Sequence, residues 1–326
     1  MHSEHARVLV AGAGALGSVV GGMLAAAGHQ VTLLGRHPHL AAIARDGLGI
    51  DGLWGERRVR NLALASSVTE LEGRFASILL TVKSYDTAAM LAQVRDALDP
   101  EGCLLSMQNG LGNVEQVLAS VGAARAVGAR VIFGAEIPHP GAVRVTVSAD
   151  PVAVGAVVPG TARAEAQAAA WVERLNAAGV ATVRTPDLGA ELWTKVFYNA
   201  ALNPLGALFA LPYGALATDA DARAIMNAVI GEAWAVAAAR GVSPSAADVD
   251  TYRQTFYERL VPATAHHRSS MLQDLTRGRP TEIEAMNGCV WRYGHEAGVA
   301  TPVNATLTRL IRWRERLVRG EANEAC

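Results

Sequence analysis

Residues 7–17 read Arg7-Val-Leu-Val-Ala-Gly-Ala-Gly-Ala-Leu-Gly17. Val8–Ala11 is an unbroken apolar run ending in glycine, the pattern of a short buried strand. Gly12, Ala13, Gly14, Ala15, Leu16 and Gly17 then spell G-x-G-x-x-G. Ala15 to Ala27 continues as a helix that Gly28 stops. The glycine spacing alone is a weak signal. Placed between a strand and a helix, it has the context that a dinucleotide site requires. Gly12 permits the tight turn, Gly14 lets backbone approach a pyrophosphate, and Gly17 lets helix and strand pack closely. The helix N-terminus adds N–H groups and partial positive charge.

Working outward, strands and helices alternate. Gln30–Leu34 reads as the second strand and His39–Arg45 as a brief helix ended by Gly47. Leu48–Leu64 alternates enough for a hairpin, and Ser77–Val82 reads as a buried strand. A helix over Tyr85–Leu98 is ended by Asp99-Pro-Glu-Gly102. Cys103–Met107 is a strand, Val114–Ser120 a helix, and Val127–Phe133 and Ala142–Val147 flank a turn at Pro138–Gly141. Pro151–Val158 extends this β region, Ala162–Ala178 is a helix and Val180–Arg184 a last strand. Such alternation predicts an α/β domain built on a mostly parallel, doubly wound sheet.

The end of the second strand bears on cofactor choice. An NAD site places Asp or Glu there, on the ribose 2′-hydroxyl. This chain has Leu33-Leu34-Gly35-Arg36, so Arg36 is available to fork onto a 2′-phosphate, which favours NADPH. A plain surface arginine is the alternative. In open α/β sheets ligands sit at the carboxyl ends of strands. Lys83, after Thr81-Val82, and Asn109, after Ser106-Met-Gln108, lie at such ends. On position alone each fits equally a solvated loop lysine and a turn asparagine.

Past Pro186-Asp187 the texture becomes helical throughout. Leu188–Phe209, Ala222–Arg240, Ala246–Leu260, Thr264–Arg277, Glu282–Gly298 and Asn304–Arg319 all read as helices. The boundary near 186 gives an α/β domain over 1–186 and an all-α domain over 187–326. Within the first of these helices, Lys195, Asn199 and Asn203 are spaced four apart. At about 3.6 residues per turn a step of four drifts by about 40°, so the three share one stripe. Val196–Thr218 holds no charged residue, which suits a solvated face poorly. An amine and two amides in apolar surroundings need polar partners, so the stripe reads as facing a small polar molecule.

Composition excludes several classes. The 326 residues carry a net charge of −1 and lack a Lys/Arg block, so nucleic acid is not expected as a partner. Cys103, Cys289 and Cys326 have neither disulfide nor metal spacing, which fits a reducing, cytoplasmic setting; no metal is expected. Val8–Gly28 holds six glycines, which suit a signal peptide badly, and Glu4 dilutes its positive start. Val196–Thr218 contains Asn199, Asn203 and two prolines, costly in lipid, so no membrane span is expected.

Polar islands remain at Ser269-Ser-Met-Leu-Gln-Asp274 and Thr281-Glu-Ile-Glu284. Taken singly, Glu282 reads as an exposed carboxylate, Ser270 as a cap or packed hydroxyl, and Thr264 and Thr281 as caps. In this order, with Gly12–Gly17, Thr81-Val-Lys83, Gln108-Asn-Gly110, Trp193-Thr-Lys195, Asn199, Asn203-Pro204 and Thr281–Gly288, the chain resembles the ketopantoate reductase (2-dehydropantoate 2-reductase) family over nearly its whole length. The resemblance implies an N-terminal Rossmann domain, a helical C-terminal domain and NADPH-dependent reduction of 2-dehydropantoate to pantoate. It implies Lys195 as general acid, and Asn109, Asn199, Asn203 and Ser270 on the substrate. Lys83, Asn109 and Glu282 fall near the cofactor by the same likeness, and Ala135 lies in a segment that lines it. Ten residues beyond Asn203, where some members have a substrate-binding asparagine, this chain has Tyr213-Gly214. The tyrosine hydroxyl is a candidate replacement; a pocket suited to another small 2-oxo acid is the alternative. A non-catalytic NADPH-binding sensor is the rival of a different class. The Ala-rich helices could pack on a partner, which leaves a homodimer open.

Overall fold

A computed structural model describes residues 6–321; Glu4 and Cys326 fall outside the described residues. Contacts divide the chain into two compact units. One runs to Asn109 and resumes over Asn113–Leu188; the other holds Gly110–Gly112 and everything from Gly189.

The first unit contains, in order, β1 (Arg7–Ala11), α1 (Ala15–Ala26), β2 (Gln30–Leu34), α2 (His37–Asp46), β3 (Leu48–Gly52), β4 (Arg57–Val59), β5 (Leu62–Ala65), β6 (Phe75–Leu80), α3 (Thr87–Val94), β7 (Leu98–Ser106), α4 (Asn113–Val121), β8 (Ala126–Arg130), β9 (Phe133–Glu136), β10 (Ala142–Ser148), β11 (Val152–Ala156), α5 (Ala162–Ala177) and β12 (Thr182–Arg184). Eight strands form one sheet in the order β12-β11-β8-β7-β6-β1-β2-β5. From β8 to β5 every neighbour is parallel, and β11 joins antiparallel to β8. Alternate residues supply the two faces. Val8 and Val10 pack with Val20 and Leu24 of α1 and Trp171 of α5. Leu9 and Ala11 pack with Leu91 of α3 and Val117 of α4. Helices therefore cover both faces, as the alternating sequence predicts.

Register sets the working edge. Ala11 lies opposite both Leu34 and Leu80, and Leu80 lies opposite Ser106. The residues that follow three of these strands (Gly12, Gly35 and Thr81) emerge at one level.

Three expectations need correction here. Leu48–Leu64 is not one hairpin: β3 and β4 pair antiparallel, but β5 leaves them to pair parallel with β2. Between β4 and β5, Asn61 Nδ2 donates to the Ala25 carbonyl at 2.7 Å. Asp99–Gly102 does not end a helix before a later strand. Phe75 pairs with Leu98 and Ser77 with Cys103, so these four residues bulge within β7. A bulge accommodates Pro100. A Cβ on Gly102 would lie 2.8 Å from the Ala76 carbonyl oxygen, so only glycine closes the bulge there. The run Val127–Phe133 also divides. Its first part is β8, and its end opens β9 in a separate four-stranded sheet, β4-β3-β10-β9.

The second unit is helical: α6 (Leu188–Phe209), α7 (Tyr213–Thr218), α8 (Ala220–Ala239), α9 (Val249–Thr255), a π-helical turn over Phe256–Leu260, α10 (Val261–Ala263), α11 (Ser270–Thr276), α12 (Asn287–Ala297) and α13 (Pro302–Val318). Phe197 of α6 packs against Trp234 of α8 and Tyr252 of α9, with centroids 5.4 and 5.3 Å apart. Gly110 (φ 85°) adopts a conformation that favours glycine, and its Cβ would lie 2.4 Å from the Ala285 carbonyl oxygen. Among the described residues no helix is long and apolar enough to cross a membrane.

Candidate functional site

The glycine turn after β1 is held by backbone. Gly12 and Ala13 both donate to the Leu34 carbonyl, at 3.1 and 2.8 Å. Thr81 Oγ1 donates to the Gly12 carbonyl at 2.8 Å. Gly12 has φ 118°, and a Cβ there would lie 2.6 Å from the Val82 nitrogen. A Cβ on Gly17 would lie 2.2 Å from the Gly12 carbonyl oxygen. Gly14 differs: a Cβ there meets nothing within 4 Å. Protein packing thus requires Gly12 and Gly17, while the space at Gly14 is left for something else. Gly14 caps α1 without a side-chain bond, and the first turn of α1 has no acid. These features fit a bound pyrophosphate, which such N–H groups would receive.

Arg36 is exposed and caps α2, whose first turn also lacks an acid. Ala135 is half-buried in β9, opposite Val145. Lys83 and Asn109 are half-buried just beyond β6 and β7.

A buried amide–hydroxyl chain fixes these two strand ends. Gln108 Nε2 donates to the Val82 carbonyl at 2.9 Å and to Thr87 Oγ1 at 2.7 Å. Its Oε1 accepts from Ser106 Oγ. Thr87 Oγ1 donates to Asn113 Oδ1, and Asn113 Nδ2 donates to the Asn109 carbonyl at 2.8 Å. The backbone on either side of Lys83 and Asn109 is therefore tied into one network. The sequence signal for Gln108 was visible beside Asn109. Thr87 and Asn113 were missed, because Thr87 falls inside the helix read over Tyr85–Leu98 and Asn113 just before the one read from Val114.

In the second unit, α6 carries Lys195 half-buried, Asn199 at 9% exposure and Asn203 at 3%. The stripe runs from partial access into the core. At its buried end Asn203 Oδ1 accepts from the Tyr213 hydroxyl at 2.5 Å, and Asn203 Nδ2 points at Met286 Sδ at 3.4 Å. Burial pushes the Tyr213 phenol well above the ordinary tyrosine range. Tyr198 bonds Thr264 Oγ1. Thr264 Oγ1 already donates to the Leu260 carbonyl, so Tyr198 is the donor. Burial, against the smaller opposing effect of Thr264, pushes Tyr198 up to about 12. Neither phenol is an acid near neutral pH; the ionisable side chains at this spacing are Lys195 and, one turn before it, the half-buried Glu191.

Ser270 is half-buried as the first residue of α11; its neighbour Ser269 is the cap, accepting from the Leu272 N–H at 3.1 Å. Thr281 Oγ1 accepts from the Ile283 N–H at 3.2 Å. Glu282 is not an exposed carboxylate. It is only 5% exposed, because the chain around it forms a buried 3₁₀ turn rather than an open helix face.

Residues 8–158 match the family Ketopantoate reductase PanE/ApbA, and residues 187–315 match Ketopantoate reductase PanE/ApbA C terminal. The chain belongs to this family. A 2-dehydropantoate 2-reductase from Aquifex aeolicus is 35% identical over 309 residues, covering 95% of this chain and 97% of the relative. The crystal structure of a PanE/ApbA family ketopantoate reductase from Ralstonia eutropha is similar at a TM-score of 0.85 and 31% identity, covering 96% of this chain and 99% of that one. D-mandelate dehydrogenase, solved with NADH and anilino(oxo)acetate, is similar at a TM-score of 0.87 and 25% identity, with the same coverage. This ketopantoate reductase family member is thus an oxidoreductase of the 2-dehydropantoate 2-reductase type.

Proposed function

We propose that the protein reduces 2-dehydropantoate to pantoate with NADPH. The observation that carries this reading is the stripe on α6, where one amine and two amides descend from a half-buried to a buried position. Near-complete coverage of a 2-dehydropantoate 2-reductase at 35% identity supports the substrate. Gly12–Gly17 would hold the pyrophosphate, and Arg36 the 2′-phosphate that distinguishes NADPH from NADH. The nicotinamide, when bound, supplies the hydride.

The residues of the chain do the rest. As the ketone carbon gains hydride, its oxygen gains negative charge. Lys195 stabilises that charge and then donates the proton that completes the alcohol. Asn109, Asn199, Asn203 and Ser270 hold the substrate oxygens, so that alignment is set before reaction. Lys83, Ala135 and Glu282 complete the surroundings of cofactor and substrate.

A second reading, the same chemistry on another small 2-oxo acid, has two observations behind it. Tyr213 stands where some members have asparagine, and D-mandelate dehydrogenase shares the whole fold. NADPH oxidation against a panel of 2-oxo acids that includes 2-dehydropantoate and 2-oxoisovalerate decides. Preferred turnover of 2-dehydropantoate is the expected result. Efficient turnover of 2-oxoisovalerate alone moves the function to the second reading. NADPH binding without turnover of any acid leaves a sensor.

A further inference from the structure

The Tyr213 side chain is held from several sides. Its own N–H donates to the His267 carbonyl at 3.1 Å, and the next residue, Gly214, donates to the Ala265 carbonyl at 2.9 Å. Its ring lies edge-on to Tyr198, 5.9 Å between centroids, and to His267, 5.3 Å. On α6 it passes close to Gly206, where a Cβ would lie 3.6 Å from Tyr213 Cε1. The ring is 3% exposed and has little room to turn.

A phenol has one proton to give. Tyr213 gives it to Asn203 Oδ1. The amide then has its oxygen satisfied within the protein and its NH₂ directed elsewhere, with only the weak thioether acceptor of Met286 at 3.4 Å. Turning the amide over would set Oδ1 against the Met286 sulfur, two acceptors facing each other. It would also take from the Tyr213 hydroxyl its acceptor, at the cost of an unmet buried donor.

We propose that Tyr213 is a positioning residue whose hydroxyl locks the Asn203 amide with NH₂, not oxygen, toward the substrate. This assignment rests on the proposed 2-oxo acid reductase activity. Its consequence is chemical. The substrate group that meets Asn203 is a hydrogen-bond acceptor, a carboxylate, carbonyl or hydroxyl oxygen. Tyr213 itself offers that group no proton, since its own is in use. The tyrosine therefore serves the substrate through Asn203 and does not replace the asparagine that some members carry at this place.

The test compares Tyr213→Phe and Asn203→Asp with the full-length wild type, using 2-dehydropantoate and the 2-oxo acid panel. Tyr213→Phe removes only the hydroxyl and is expected to raise the substrate KM on the order of 5-fold. The dissociation constant for NADPH is expected to stay unchanged. Asn203→Asp keeps an acceptor for Tyr213 but replaces NH₂ by oxygen, and should raise KM further. In an Asn203→Ala background, Tyr213→Phe should add nothing. An unchanged KM in Tyr213→Phe, or a full effect of that change without Asn203, overturns the assignment while the activity stands. Should Tyr213→Phe fail to fold, as read by a thermal melt, Asn203→Asp decides: a KM equal to wild type overturns the assignment. A wild type that turns over none of the acids overturns the activity and the assignment together.

Discussion

Asn287 donates its side-chain N–H to the main-chain carbonyl of Ala200 at 3.0 Å. Pro204 lies inside α6 and has no N–H for the carbonyl four residues before it, which is that of Ala200. The acceptor orphaned by proline is thus met from α12. The same Nδ2 also donates to Asn304 Oδ1, and Asn304 Nδ2 donates to Glu232. The break after Asn203 is held from outside the helix.

A double-mutant cycle checks this pairing. Asn287→Ala leaves Ala200 and Asn304 with buried, unmet acceptors, expected to cost about 1–3 kcal/mol in urea denaturation. Pro204→Ala restores an N–H able to reach Ala200. Asn287→Ala should therefore cost less in the Pro204→Ala background than alone. Additive costs would show that the two residues act independently.

Gly14 and Gly17 should part company when each is changed to alanine. The Cβ at Gly17 would overlap the Gly12 carbonyl, so Gly17→Ala is expected to lose about 1–3 kcal/mol of stability. The Cβ at Gly14 meets open space, so Gly14→Ala should melt like wild type. It should nonetheless bind NADPH more weakly, because the methyl group would take the room proposed for the pyrophosphate. Fluorescence titration beside a thermal melt reads both. A Gly14→Ala protein with wild-type NADPH affinity would refute the placement of the phosphates.

Arg36 is the residue proposed to hold the 2′-phosphate. A charge-assisted set of bonds is worth roughly 1.5–3 kcal/mol, or roughly a 10- to 150-fold preference for NADPH. Arg36→Ala should raise the NADPH KM by that order and barely change NADH. Equal use of both cofactors by wild type would remove the basis for this role.

His39 gives a pH dependence with a definite sign. Its Nδ1 accepts from the Gly141 N–H at 3.1 Å, so that nitrogen carries no proton, and Nε2–H is left to donate to Ser18 Oγ at 3.1 Å. The ring is neutral in this arrangement, and burial lowers its pKa from the ordinary 6.5. A depressed folded-state value means that the unfolded chain takes the proton first. The stabilisation is present above 6.5 and is lost as pH falls through the lowered folded-state value. Between about pH 7.5 and about pH 5, wild type should lose more Tm than His39→Gln, which cannot titrate. Equal losses would show that another group sets the acid limit.

Much of this was open to reading in the sequence where a local pattern matches a local cause. The boundaries of β1 and β2 follow from apolar runs closed by glycine, and the extent of α6 from a long helical stretch that continues past Pro204. The missed features have remote causes. β5 left the expected hairpin because a strand 31 residues earlier offers it an edge, from Val31 to Leu62. Asp99–Gly102 looked like a turn and became a bulge, because β6 pairs with residues on both sides of it. Within the site, residue types at fixed spacing marked Lys195, Asn199 and Asn203. The bond from Tyr213 to Asn203 depends on the chain folding back after Ala210, at φ 54°, and no spacing rule announces that.

Lys195 carries the sharpest expectation. The phenols that meet α6 are held neutral and engaged, Tyr198 with Thr264 and Tyr213 with Asn203. On the proposed reading the amine supplies the proton for the product alcohol. Removing a general acid costs about 10²–10⁴ in rate. Lys195→Ala should lose kcat by that order and still bind NADPH, because Gly12–Gly17 and Arg36 belong to the other unit. Asn199→Ala should mainly raise the substrate KM, since an amide that only holds substrate binds ground and transition states alike. Steady-state kinetics beside fluorescence titration of NADPH separates the two outcomes. A folded Lys195→Ala protein with near wild-type kcat would require another proton donor and would remove the chemistry proposed for this stripe.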